Sequence, residues 1–191
     1  MNIGHFLFKN RSYTPIPLIL IALFLANPSW ITIAAGFAVM LAGEFIRFYG
    51  VAYAGSATRT TAEAGGAVLI TSGPFAYIRN PLYVGNFFLA LGFVIMAWAW
   101  MPYMVALFLL LFFFQYTFII KHEEEYLLKT FGEEYKIYCL NVKRWLPRFT
   151  AFIGNSIHEP NFKAAVKSEK NTLQSVIIVT VVLIIRWKLF K

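Results

Sequence analysis

The sequence predicts an all-α, polytopic membrane fold of four to five transmembrane helices, and three observations carry that expectation. Of 191 residues, 59% are hydrophobic, 18% aromatic and only 14% charged, whereas soluble domains carry about 25% charged residues. A globule this small cannot hide so much apolar surface from water, so lipid is the solvent for much of it. Apolar runs close to membrane-spanning length also recur along the chain. The third observation is where the charge sits. The net charge of +8 comes from 17 Lys plus Arg against 9 Glu and no Asp, and the positive residues crowd between the apolar runs. The positive-inside rule and anionic lipid head groups account for that placement, so the partner is the bilayer and no nucleic acid is expected. A single cysteine, Cys139, excludes an internal disulfide.

The elements follow in order. A first apolar arm runs from about Pro15 to Ala26 and breaks at Asn27-Pro28-Ser29, because proline removes a ladder donor and asparagine turns readily. A second arm, about Trp30 to Ala54, is long enough to cross a core of roughly 30 Å. Together residues 1–54 read as an N-terminal helical hairpin. Residues 55–80, "GSATRTTAEAGGAVLITSGPFAYIRN", lack helical periodicity and read as an ordered loop carrying Arg59 and Arg79. A third span opens at Pro81, where proline suits the first helical turn, and runs to about Trp100. The fourth, about Pro102 to Ile120, continues without a break into Glu123, Glu124 and Glu125. Residues 154–171 are polar, and an apolar stretch follows within 172–191. That stretch is short: it crosses with Arg186 and Lys188 snorkelling, or lies re-entrant or interfacial. Lys and Arg place the N-terminus, the 55–80 loop and residues 121–171 on one side, the cytoplasmic one, while the C-terminal charges oppose this if the last segment crosses. The chain is one membrane domain, residues 1–191.

Two polar clusters share that side. In "KHEEEYLLKTFGEEYKIY" the glutamates could be a charged collar where a helix leaves lipid, partnered by Lys121 and Lys129. Yet Leu127, Leu128, Phe131, Tyr135 and Tyr138 fall on one helical stripe, which requires a buried face. A carboxylate beside buried aromatics suits a cationic ligand. In "TSGPFAYIRNPLY", Gly73-Pro74 makes a turn and Asn80 precedes the helix as a cap. Arg79 beside a helix N-terminus can hold an anion such as a ligand carboxylate, and Phe75, Tyr77 and Tyr83 offer aromatic faces to a sulfonium or quaternary ammonium. In the second span Glu44 and Arg47 are three residues apart on one face. They form either an ion pair that fixes packing or part of a substrate pocket. His122 alone is weak as a metal ligand and no metal site is assigned. His5 and His158 receive no role, and Cys139 reads as packing.

"LITSGPFAYIRNPLYVG", followed some 35 residues later by "EEEYLLKTFGEEYKIY…VKRWLP", resembles the superfamily of isoprenylcysteine carboxyl methyltransferases and phospholipid N-methyltransferases. The resemblance covers residues 67–147. It implies an integral membrane methyltransferase that uses S-adenosyl-L-methionine, bound at the cytoplasmic face. Carried over by motif, the donor contacts are Leu69 and Ile70 through backbone, then Phe75, Asn80, Pro81, Tyr83 and Glu123, with Glu124 completing the pair. Two departures bear on the acceptor. Asn80 stands where the family usually has His, which keeps a donor and an acceptor but removes acid–base capacity. Ile119 stands where the carboxyl methyltransferases place an Arg that handles the substrate.

The acceptor is therefore read as lipidic or amphiphilic, foremost an isoprenylcysteine-like carboxylate methylated on oxygen. Its carboxylate would be held by Arg79, Arg59 or Lys121. An amine acceptor would need a base such as Glu124 or Glu44, and a thiol neither fully. Arg79, Glu124 and Glu44 are thus the candidate catalytic residues. The alternatives are a phospholipid amine N-methyltransferase, a thiol S-methyltransferase, an NADPH-dependent sterol-type reductase and a non-enzymatic membrane scaffold.

Overall fold

A computed structural model describes residues 3–55, 68–154 and 158–189; Arg59 lies outside the described residues. Among the described residues six α-helices follow in order: α1 (Ile3–Lys9), α2 (Ile16–Phe24), α3 (Trp30–Ala54), α4 (Pro81–Ala97), α5 (Tyr103–Asn141) and α6 (Phe162–Leu189), with a 3₁₀ turn at Gly73–Ala76. No strand occurs among the described residues. Helices α3, α5 and α6 are long and apolar enough to cross a membrane, and α4 is a shorter apolar helix.

The N-terminal region differs from the expected hairpin. Its first arm is helical only over the nine residues of α2, about 13 Å at 1.5 Å per residue, against a core of roughly 30 Å. Before it lies α1, which the sequence reading left unassigned. The His5 ring of α1, though exposed, meets His122 of α5 edge-on at 5.5 Å. The break at Asn27-Pro28 is real: Asn27 N–H donates to Ala97 O at 3.0 Å. Ser29 then caps α3, accepting from Thr32 N–H at 3.2 Å while Thr32 Oγ1 accepts from Ser29 N–H at 2.8 Å.

Helices α3 and α4 run antiparallel with their backbones nearly touching, through two glycine pairs seven residues apart on each helix. Gly36 faces Gly92 and Gly43 faces Gly85. A methyl group on Gly43 would meet Gly85 O and Leu89 N at 2.7 Å, and one on Gly92 would meet Gly36 O at 2.6 Å. Small residues that admit close backbone approach are how membrane helices gain packing contact where no hydrophobic drive separates them from lipid.

The last apolar stretch belongs to a longer helix than its composition suggests, because α6 begins ten residues earlier, in the polar segment. Its start is tied to the end of α3 by Asn161 N–H to Ala52 O at 2.7 Å. Its end lies at the start of α3: Trp187 meets Trp30 edge-on at 4.9 Å, and Arg186 donates to the carbonyls of Ala26 and Phe24, the latter at 2.7 Å. Arg186 thus satisfies carbonyls at and just beyond the C-terminal end of α2, and Lys188 lies over the Trp30 and Trp187 rings at 5.1 and 5.2 Å.

Helix α5 does not stop at Gly132. That residue adopts φ +51°, a kink, and the helix resumes to Asn141. Beyond the kink Tyr135 and Tyr138 are buried with Leu69 and Val142, and Leu127 and Phe131 pack against them. Leu128, expected on the same stripe, is exposed instead.

Candidate active site

The two sequence motifs meet at one end of the bundle. Backbone bonds lace residues 143–152 onto the 3₁₀ turn and its flank: Arg79 N–H to Lys143 O at 3.0 Å, Arg148 N–H to Tyr77 O at 2.9 Å and Phe152 N–H to Ala76 O at 2.9 Å. The Tyr138 hydroxyl donates to Phe75 O at 2.7 Å. Asn80 starts α4, but its side chain makes no cap bond. Its Nδ2 donates to Arg144 O at 3.3 Å, joining the same seam.

The adjacent glutamates are held in opposite ways. Glu124 takes two guanidinium groups: Arg79 Nη1 at 3.2 Å and Arg144, whose Nε donates to both carboxylate oxygens at 2.9 and 3.1 Å. Those hydrogen bonds hold the Arg144 guanidinium above its ordinary pKa. Arg79 Nη1 also donates to Cys139 Sγ at 2.7 Å, so Cys139 does more than pack. Glu123 instead accepts from the Tyr83 hydroxyl at 2.6 Å. The Tyr83 ring stacks at a tilt on Tyr116, 4.7 Å away, and the Tyr116 hydroxyl accepts from Asn86 Nδ2 at 2.9 Å. The glutamates' partners are thus Arg79, Arg144 and Tyr83, rather than the neighbouring Lys121 and Lys129 the collar reading assigned.

Both glutamates border one cavity of about 810 Å³, near the upper end of the roughly 300–1,000 Å³ usual for small-molecule sites. Leu69, Ile70, Phe75, Asn80, Pro81 and Tyr83 line its polar end with them, as does Arg79. The cavity continues between the helices past Arg47, Asn86 and Tyr116 to an apolar end formed by Met40, Phe93, Phe108 and Val179.

Of the sequence-predicted site residues, Leu69, Ile70, Phe75, Arg79, Asn80, Pro81, Tyr83, Glu123 and Glu124 all border this cavity. Glu44 is buried on α3 but is not among the lining residues. Arg47, read as its partner, reaches Glu169 of α6 at 3.0 Å. Sequence reasoning missed Glu169, Asn86, Tyr116 and Arg11, all but Glu169 lining the cavity. Asn86 could have been found from its spacing three residues after Tyr83, one turn along the same helical face. Glu169 had no local signal, since it sits in "VKSEKN", a stretch that reads as solvated.

A single cavity joins paired carboxylates to an apolar interior, within a membrane protein whose helices α3, α5 and α6 are apolar enough to cross lipid. The profile of the isoprenylcysteine carboxyl methyltransferase family matches residues 18–129, more than half of the chain, and the protein belongs to that family of membrane methyltransferases. No curated protein and no solved structure matches it. The matched region ends at Lys129 and leaves out Arg11, Arg144 and all of α6.

Proposed function

We propose that this protein is an S-adenosyl-L-methionine-dependent methyltransferase that modifies a lipidic or amphiphilic acceptor, foremost an isoprenylcysteine-like carboxylate, at the cytoplasmic side of a bundle in which α3, α4, α5 and α6 cross the bilayer. The observation that carries this reading is the continuity of one cavity from Glu123 and Glu124 to an apolar interior. The lining residues fit the donor's chemistry. Glu123, oriented by the Tyr83 hydroxyl, receives a cationic group, and Phe75, Tyr83 and Tyr135 place aromatic faces where a positive sulfur is stabilised. Bound there, the donor supplies a methyl group on a cationic sulfur, whose transfer to a carboxylate forms a C–O bond, returns the C–S electron pair to sulfur and moves no proton.

The chain's own task is therefore alignment and exclusion of water rather than acid–base chemistry. The observed ties support that division. Arg79 and Arg144 engage Glu124 as a structural clamp, which fixes the floor of the donor end and disfavours Glu124 as a base for an amine acceptor. Asn80 keeps the seam closed through Arg144 O and needs no titration to do so.

The test is incubation of the detergent-purified protein with methyl-labelled S-adenosyl-L-methionine and, separately, a prenylcysteine, phosphatidylethanolamine and a simple thiol. Label in a base-labile ester of the prenylcysteine is the expected result. Label on the phospholipid amine or the thiol assigns those activities instead, and saturable NADPH binding with no labelled product overturns the methyltransferase reading.

A further inference from the structure

The waist of the cavity, midway between its polar and apolar ends, carries an arrangement that donor binding does not use. Arg47 of α3 is clamped from the side by Glu169 of α6: its Nη2 donates to both carboxylate oxygens at 3.0 Å and its Nε to Oε2 at 3.2 Å. Its Nη1 donates to Asn86 Oδ1 of α4. The stem reaches this position because Gly85 leaves room for it; a methyl group on Gly85 would strike Arg47 Cγ. Glu169 is fully buried. A buried arginine–carboxylate pair is a poor way to gain stability, since desolvating both charges costs about what their attraction returns. Charges at such a depth in a membrane protein mark a site by default.

Several donors at this level keep a hydrogen that no acceptor among the described residues takes. Arg47 Nη1 has two hydrogens and one protein partner. Gln115 Nε2 is buried with no hydrogen-bond partner among the described residues, and Gln115 lines the cavity. The Tyr116 hydroxyl accepts from Asn86, and its own proton has no acceptor among the described residues. Three donor groups with a hydrogen to spare, bordering one cavity, call for a ligand group rich in acceptor oxygens. An ammonium head group would leave all three unsatisfied. The waist lies within reach of the donor end, because Asn86, Tyr116 and Tyr83 connect Arg47 to Glu123 through direct contacts. Ile119, where the family's substrate arginine would stand, is fully buried and is not among the lining residues.

We propose that Arg47, set in place by Glu169 and Asn86, receives the oxyanion head of the methyl acceptor, and that α6 is the element that sets acceptor choice. This rests on the methyl-transfer reading above. Helix α6 presents Asn171, Thr172 and Ser175 to the cavity beside the head group and Val176 and Val179 beyond it, a polar-then-apolar face that follows the polarity of an amphiphile. Glu169 is a positioning residue that acts through Arg47.

The full chain, purified in detergent, is titrated with N-acetyl-S-farnesylcysteine and with its carboxamide, in which the head group carries no charge. Wild type is expected to prefer the carboxylate by about tenfold or more, the weight of a charged hydrogen-bonded contact. Arg47→Lys and Glu169→Gln are expected to lose that preference while the S-adenosyl-L-methionine Kd moves by less than about twofold. In turnover, Glu169→Gln is expected to raise the acceptor KM about tenfold with kcat little changed, which a merely structural role would not produce. Should Glu169→Gln fail to fold, Ser175→Val alters the α6 face without removing either charge and is expected to raise acceptor KM selectively, and an unchanged KM in that variant overturns the role of α6. Equal affinity of wild type for carboxylate and carboxamide, or a preference that survives Arg47→Lys, overturns the proposal. Loss of S-adenosyl-L-methionine binding in wild type counts against the methyltransferase reading instead, since acceptor titration proceeds without the donor.

Discussion

The mouth of the cavity and its waist both join carboxylates to guanidinium groups, yet the two places solve different problems. At the mouth Glu124 takes Arg79 and Arg144, and the Arg144 side chain is 47% exposed, so water shares the task of solvating the charges. At the waist Arg47 meets a Glu169 side chain that is 1% exposed, and that carboxylate must be neutralised by protein rather than by water. A pair in water is weak and replaceable. A buried pair is all-or-nothing, because either partner left alone is an unsolvated charge. The mouth can therefore tolerate ligand exchange at its rim, whereas the waist persists only as a complete set of contacts spanning α3, α4 and α6.

The largest effect that can break this contrast is expected from Glu169→Ala. Stranding Arg47 should cost about 3–5 kcal/mol of stability, read as a lowered unfolding midpoint in detergent, and replacing both partners by Met and Leu should recover most of it. If the single variant unfolds like wild type, the waist is not dry. Next comes Tyr83→Phe, which removes the neutral donor to Glu123 and should weaken S-adenosyl-L-methionine binding by roughly 0.5–1.5 kcal/mol, a several-fold rise in Kd by calorimetry, with acceptor affinity unmoved. The smallest is Arg144→Ala. An exposed pair is worth about 0.2–1 kcal/mol, so the unfolding midpoint should shift slightly and the shift should shrink further in high salt. An Arg144 effect as large as that of Glu169 would erase the distinction between mouth and waist.

What could be read from the sequence divides along the same line. The mouth was legible because its chemistry is local: "GPFAYIRNPLY" and "EEEYLL" each hold several site residues close together in the chain, and their resemblance to a known family joined them. The membrane class was legible from composition. The waist was not, because its contacts link Arg47, Asn86 and Glu169 across long stretches of chain, and no short-range pattern reports a helix–helix contact of that separation. Glu169 lies among lysines that read as solvated. The glycines at 36, 43, 85 and 92 were the available signal: matched seven-residue spacings on two apolar helices predict a close antiparallel pair, and such a pair would have placed Arg47 beside Asn86. The length of α6 was hidden because its first turns are polar where they border the cavity and the end of α3.

The central claim is that the mouth grips a cationic methyl donor through Glu123. Isothermal titration of S-adenosyl-L-methionine into wild type and into Glu123→Gln, which keeps the shape and removes the charge, tests it most directly. Saturable binding by wild type and a Kd higher by about tenfold or more in the variant, the loss of a charged hydrogen-bonded contact, is the result predicted. No heat with wild type, or the same Kd in both proteins, would contradict it.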